Sequence, residues 1–383
     1  MLVSLRVTED PDVAPIWGTL PWRAADSMVR RVTERLSLQY LLFPSSFGLL
    51  RHAWFRQADV VQLYVTHGGY FGHTALASLS RRKPVVWRLS DMWAMTGHCA
   101  YSFDCERWKT GCGSCPLLSD EPALRVDRTA FLWRVKRWVY ERSHLTLVAP
   151  SRWIAGLVAQ SPLLQRFPVH LIPNGLDTDV FRPVPKAAAR EILGLDPSER
   201  VVLFSALDTA APRKGGEFLR KALEILHAQD MQGCRLLVVG DGAESWKNVV
   251  RFPLTPMPVV RDDRMLAAIY SSADLFVLPT LAENLPNGIL ESMACGTPVV
   301  AFDVGGVGEA VRPMETGHLA QYMNADDLAR GIGRLLEDEG LRQRLGRRCR
   351  EVAEKEYSME LQARRFQELY QGIVGRSRVP SNL

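Results

Sequence analysis

The chain has 383 residues, 47% of them hydrophobic and 23% charged, which exceeds a single ordinary core and fits two soluble domains of about 150 to 200 residues each. Its 47 Lys and Arg against 42 Asp and Glu leave a formal charge of +5, too mild to argue for a nucleic-acid partner but compatible with a face that meets phosphate or anionic lipid. No apolar run reaches the roughly 18 residues of a membrane span, and the N-terminus lacks the charged-then-apolar layout of a signal peptide, so a cytoplasmic protein with reduced cysteines is expected.

Short β-branched runs ending in turn residues alternate with helix-length stretches. The first series is ADVVQLYV (58–65), KPVVWRLS (83–90), LTLVAPS (145–151) and PVHLIPNG (168–175). The second is RVVLFSA (200–206), RLLVVGDG (235–242), DLFVLPT (274–280) and TPVVAFD (297–303), with helices such as GEFLRKALEILHAQ between them. This rhythm predicts an α/β fold of two Rossmann-like domains, each with a parallel sheet, facing a central cleft where a ligand binds at the carboxyl ends of the strands. The Pro, Gly and Asp-rich LIPNGLDTDVFRP (171–183) marks the junction. The expected domains are 1–170 and 171–355, followed by a helix over 356–383 that crosses back to the first.

Within the first domain, FLWRVKRWVYERSHL (131–145) predicts a helix. Packing within the domain is the favoured reading, and a membrane-surface role with Trp133 and Trp138 as anchors is the alternative. THGGYFGH (66–73) follows a strand, and its glycines let backbone approach a substrate or simply make a turn; His67 and His98 are the histidines of interest, although single histidines are more often structural. Cys99, Cys105, Cys112 and Cys115 form a C-x5-C-x6-C-x2-C array in the insert 98–116. Four thiolates so close in sequence suit a closed tetrahedral zinc site, and a structural metal is expected over packed or free thiols. Cys234, Cys295 and Cys349 are isolated and read as core.

The stretch PTLAENLPNGILESMACGTPVVAFDVGG (279–306) sets two carboxylates around a Pro-Asn-Gly turn. GILESMAC reads as a short helix with Asn287 as its N-cap. A helix start pointing its N–H groups and positive dipole end outward is an anion site. Glu291, one turn in, and Glu283, on the preceding loop, would repel a phosphate, so they are expected to accept hydrogen bonds from hydroxyls on either side of it. A diphosphate between two sugars has that layout; first-turn dipole compensation and a solvated Glu283 are the structural alternative.

The E-x7-E spacing followed by SMACGTPVVAFDVGG resembles the signature of retaining GT-B glycosyltransferases of the large family-4 group. IPNGLDTDVF, RKGGEFL, IYSSADLFVLPT and VGGVGE stand in that family's usual order. The resemblance implies that Glu291 binds the ribose of a UDP-, GDP- or ADP-sugar, that Glu283 contacts the transferred sugar, and that backbone at Asn287 and Gly288 holds the diphosphate. It also implies that Lys214 neutralises the departing diphosphate, with no metal or other cofactor in catalysis. Asp177 and Asp179 form an Asp-x-Asp, read here as turn chemistry.

Three departures stand out. Asp208 lies where relatives carry an Arg, and Arg213 is expected to take over its diphosphate contact. Ser90 stands where many relatives have His, so either Ser90 or Asp91 is expected to position the donor sugar or the donor differs; the alternative is that these residues simply end the strand. The opening MLVSLRVTEDPDV reads as the second strand of such a chain, so one β-α unit of roughly 30 residues is expected to be absent. A similar Cys-rich insert after DMW occurs in relatives associated with exopolysaccharide assembly. The expected activity is transfer of a sugar to a saccharide or lipid-linked acceptor for surface polysaccharide, with peripheral membrane contact. A decayed, non-catalytic saccharide-binding or scaffold protein is the alternative, and an epimerase or phosphorylase of similar fold a weaker one.

Overall fold

The computed structural model describes residues 1–3, 9–16 and 20–378. The opening strand expected over MLVSLRV lies largely outside the described residues. What is described there is a short parallel pair, β1 (Leu2–Val3) with β2 (Ala14–Pro15), in a sheet of its own. The chain divides into two compact units, residues 1–172 with 366–383, and residues 173–365.

The first unit is built on four parallel strands in sequential order, β3 (Val61–Tyr64), β4 (Val85–Arg88), β5 (Leu145–Ala149) and β6 (Val169–Leu171). Alternate residues of a strand face opposite sides. Val85 and Trp87 of β4 and Leu145, Leu147 and Ala149 of β5 therefore enter one core with Trp133, Val139 and Tyr140, while Val86 and Val148 enter a second with Ile172 and Leu369. The helix Met359–Arg378 supplies Leu369, and from Phe366 onward it counts with this unit. Tyr370 on the same helix donates a hydrogen bond to Gln62 of β3. Trp133 is buried and its indole N–H donates to the Trp108 carbonyl at 3.0 Å, so it is no membrane anchor; Trp138 on the same helix is 51% exposed.

The second unit holds six parallel strands, β7 (Arg200–Asp208), β8 (Cys234–Asp241), β9 (Leu254–Met257), β10 (Leu275–Leu278), β11 (Val299–Phe302) and β12 (Gly317–Ala320), in the order β12-β11-β10-β7-β8-β9. This is the doubly wound order of a Rossmann sheet, whose direction of winding reverses between its first and fourth strands, here β7 and β10. Val201 and Leu203 of β7 and Phe276 and Leu278 of β10 face one core. Helices Asp263–Ser272, Asn287–Ala294 and Glu339–Tyr357 cover that face. Val202, Phe204, Leu275 and Val277 face the other, under helices Gly216–Ala228 and Ala325–Glu337. Burial on both sides explains the unbroken apolar runs of the central strands. β9 and β12 were not foreseen: both are edges, one broken by Pro253 and Pro256 and the other reading only GHLA, and edge strands tolerate proline and polar residues.

Leu369→Ala leaves a cavity against Val86, Val148 and Ile172 and is expected to destabilise the first unit by about 2 to 4 kcal/mol. Urea unfolding followed by tryptophan fluorescence measures it, and an unchanged midpoint contradicts the packing described.

Candidate functional site

The switch between β7 and β10 brings two loops together. The loop after β7 forms a single turn, Pro212–Lys214, and lies along the chain that leaves β10. Leu281 N–H donates to the Arg213 carbonyl at 2.8 Å and Thr280 Oγ1 to the same oxygen at 3.0 Å. Gly215 has φ +69°, and a Cβ there would sit 1.7 Å from the Pro279 carbonyl oxygen, so only glycine permits this approach. Glu283 is pinned in the same way from its other side: a Cβ on Gly305, at φ +60°, would meet the Glu283 carbonyl oxygen at 1.8 Å.

These contacts place three charged groups at hydrogen-bond distance. Glu283 Oε1 accepts from Arg213 at 2.6 Å and from Lys214 Nζ at 2.5 Å, and Arg213 also donates to the Ala282 carbonyl at 2.8 Å. The Glu283 side chain is 12% exposed and that of Lys214 20%, so the group is shielded yet reachable. One carboxylate against two cations leaves a net positive charge. Asp208 bends back on its own loop, accepting from Ala210 N–H at 2.9 Å.

The helix Asn287–Ala294 starts beside this group. Asn287 is not its N-cap. Pro286 holds that place with extended backbone and no side-chain cap, and Asn287 is the first helical residue. Its side chain is engaged instead by Asn174, whose Nδ2 donates to Asn287 Oδ1 and to the Leu285 carbonyl, both at 2.8 Å. With no side chain capping them, the first N–H groups of the helix, at Asn287 and Gly288, suit an anion. Glu291 accepts from the Tyr270 hydroxyl at 2.9 Å. Burial raises the Glu291 carboxyl above its ordinary value of 4.5, the Tyr270 bond opposes that rise and the charge of Asp263 adds to it. Burial likewise holds the Tyr270 hydroxyl well above its usual range, with the Glu291 charge adding to it, which keeps Tyr270 a donor.

The structure thus brings together Arg213, Lys214 and Glu283, and sets Asn287, Gly288 and Glu291 on the helix that follows. Tyr270 and Asn174, each holding one of these residues, were missed; both lie within recognised motif stretches, but nothing in their spacing marks them. Asp177 accepts from the N–H groups of Asp179 and Val180 at 2.9 and 3.1 Å, which is the turn chemistry expected of the Asp-x-Asp. Ser90 and Asp91 lie in the first unit, just beyond β4. Asp91 accepts from Trp93 N–H at 2.8 Å and lies 3.1 Å from His67 Nε2, while the His67 ring stacks on Trp93 at 5.2 Å. Cys99, Cys105, Cys112 and Cys115 line one small cavity of the first unit. Cys234, Cys295 and Cys349 are buried in the second.

Residues 198–338 match the family described as Glycosyl transferases group 1. D-inositol 3-phosphate glycosyltransferase of Segniliparus rotundus is 36% identical over 190 residues, 45% of this chain and 40% of that protein. The same enzyme of Rhodococcus jostii is 34% identical over 185 residues, with 45% and 40% covered. The chain therefore spans well under half the length of these curated relatives. Sucrose-phosphate synthase from Thermosynechococcus elongatus superposes with a TM-score of 0.67 at 24% identity over 87% of this chain and 78% of that one. Anabaena HepE in complex with UDP gives 0.63 at 19% over 86% and 82%, and WaaG, a glycosyltransferase involved in lipopolysaccharide biosynthesis, 0.58 at 16% over 86% and 94%. The fold is GT-B. Residues 198–338, matched by the group 1 model, lie within the second unit, and the pairing of Glu283 with Arg213 and Lys214 sits at the topological switch point of its sheet.

A carboxyl with a raised folded-state value takes up a proton on folding, so its contribution to stability declines as pH rises from the unfolded value through the folded one, and its cost is fully present at neutral pH. Glu291→Gln removes that cost and keeps an acceptor for Tyr270. Its melting temperature is expected to exceed the wild type's at neutral pH, with the gap closing as pH falls into the carboxylate range; a gap independent of pH contradicts the assignment.

Proposed function

We propose that this chain is a retaining, metal-independent glycosyltransferase that moves a sugar from a nucleotide-sugar donor to a saccharide or lipid-linked acceptor in surface polysaccharide assembly. The observation that carries the reading is the convergence of Arg213, Lys214 and Glu283 beside an uncapped helix start. Cations next to free N–H groups suit a diphosphate, and carboxylates on either side suit sugar hydroxyls. Anabaena HepE, of the same fold, is described in complex with UDP and with UDP-glucose, which puts uridine donors first in any trial.

In this reading Arg213 and Lys214 turn from Glu283 toward the diphosphate, and Glu283, released from them, accepts from a hydroxyl of the transferred sugar. Glu291, fixed by Tyr270, accepts from the ribose. The bond between the anomeric carbon and the phosphate oxygen breaks with its electron pair passing to that oxygen. The acceptor hydroxyl attacks the same face and its proton passes to the leaving phosphate. Charge grows on the diphosphate as the bond breaks, so Lys214 acts mainly on the transition state. Ser90 and Asp91 keep the sugar-positioning role expected of them, with Asp91 oriented by the His67 contact and the Trp93 N–H.

Membrane contact is supported by one face of the first unit. Phe131 and Trp138 are 44% and 51% exposed on the helix Thr129–Glu141 among Arg134, Arg137 and Arg142, with Glu141 paired to Arg137. Arg81, Arg82, Lys83, His144 and Arg166 line a groove that contains no acidic residue. Exposed aromatics among cations suit an anionic bilayer surface.

Full-length protein incubated with UDP-, GDP- and ADP-sugars and a panel of saccharide, lipid-linked and inositol phosphate acceptors is expected to release nucleotide. Lys214→Ala should lower kcat by about 10²- to 10³-fold, and Glu291→Ala should chiefly raise the donor KM. No release with any donor, together with no nucleotide binding, overturns the reading in favour of a non-catalytic scaffold. In a second experiment the protein is expected to sediment with phosphatidylglycerol vesicles but not with phosphatidylcholine vesicles, and Trp138→Ala with Arg81→Glu should lower the bound fraction. Equal sedimentation with both lipids contradicts the electrostatic contact.

A further inference from the structure

The segment from Thr96 to Arg128 contains a single short turn of regular structure, Arg107–Lys109, yet it is closely packed: His98, Cys99, Ser102 and Trp108 are all buried. Loops this long without secondary structure of their own are uncommon in compact domains, and hydrophobic packing alone does not account for what lies inside this one.

Cys99, Cys105, Cys112, Cys115 and His98 all line one cavity of about 20 Å³, room for about one atom-sized occupant. Gly111, Cys112, Gly113 and Ser114 all have positive φ, at 133°, 55°, 101° and 45°. That run folds the Cys-x-x-Cys segment into a tight turn. Gly97 N–H donates to Cys112 Sγ at 3.2 Å and Leu117 N–H to Cys115 Sγ at 3.4 Å. His98 is fixed by its other nitrogen. Nδ1 lies 2.9 Å from the Pro122 carbonyl, which can only accept, so Nδ1 carries the proton and Nε2 turns its lone pair toward Cys115 Sγ, 3.4 Å away.

Lys136 adds a charge argument. It is 2% exposed, donates to the Trp93 and Thr96 carbonyls, and lies 3.5 Å from the centre of the Trp93 ring. Burial pulls its pKa down to about 7, against the raising effect of the Asp91 charge. A buried ammonium needs negative charge nearby, and thiolates around a divalent ion supply a net of two.

We propose that Cys99, Cys105, Cys112 and Cys115 bind one zinc ion as a tetrathiolate site, with His98 packed beside Cys115 and Lys136 as the buried counter-charge. Among the described residues no three His, Cys, Asp or Glu side chains already stand as a ready-made metal group, so binding requires the thiols to move onto the ion. Each thiol still protonated gives up its proton to solvent as it binds. The ion cross-links the insert to itself, just beyond the segment that carries Asp91 and Trp93; the site is structural, and it stands independently of the proposed transferase activity.

The test uses the full chain. Purified without chelator, it is expected to carry one zinc per chain by elemental analysis, and replacement by cobalt should give a thiolate-to-metal charge-transfer band and the visible bands of a tetrahedral site. Cys112→Ser and Cys115→Ser should each lose the metal, while His98→Ala keeps one zinc per chain. Should the cysteine variants fail to fold, cobalt titration of chelator-stripped wild type decides. A chain that takes up no zinc and gives no charge-transfer band overturns the proposal. So does a His98→Ala variant that loses all its metal while a Cys105→Ser variant keeps it, because the ligand set is then not four thiolates.

Discussion

A carboxylate held by two cations at the reversal point of a parallel sheet is the constraint around which the second unit is organised. Glu283 sits at the end of β10, and Arg213 and Lys214 at the end of β7, some 70 residues earlier. Only the strand order β10-β7 makes them neighbours. Two close backbone approaches hold the arrangement, at Gly215 against Pro279 and at Gly305 against Glu283. The ion group is shielded on the protein side, so its Coulomb attraction is stronger than on an open surface, and the second cation leaves charge to spare for an anion.

The rest of the site follows from that position. Pro286 ends the extended segment, and the helix that begins at Asn287, four residues after Glu283, leaves its first N–H groups without a side-chain cap. Tyr270, from the helix before β10, reaches Glu291 and fixes the acceptor that lies one turn further in. Asn174 crosses from the start of the unit to hold the Leu285–Asn287 turn. Residues from several elements therefore converge, which is how a Rossmann sheet builds a site from loops without losing rigidity.

Much of this was legible in the sequence. The central strands announced themselves because they are buried on both faces and read as continuous apolar runs, and the motif stretches around Lys214, Glu283 and Glu291 stood in a recognisable order. The edge strands β9 and β12 were hidden by proline and by shortness. The capping role expected of Asn287 failed because a proline can occupy the N-cap and leave the asparagine to a distant partner, Asn174, which local pattern cannot reveal. Trp133 and Trp138 look alike in sequence, five residues apart, yet helical geometry turns one into the core and the other to solvent. The ion pairing of Glu283 was beyond reach for the same reason that makes it interesting: it is a product of strand order.

The most direct measurement of the central claim is calorimetric titration of the protein with UDP, UMP and uridine, beside a Lys214→Ala variant. If the β7 loop and the helix start form a diphosphate cradle, UDP binds about tenfold or more tighter than uridine, equivalent to about 1.4 kcal/mol or more, and Lys214→Ala removes most of that difference. Equal affinity for UDP and uridine, or a UDP preference untouched by Lys214→Ala, would contradict it.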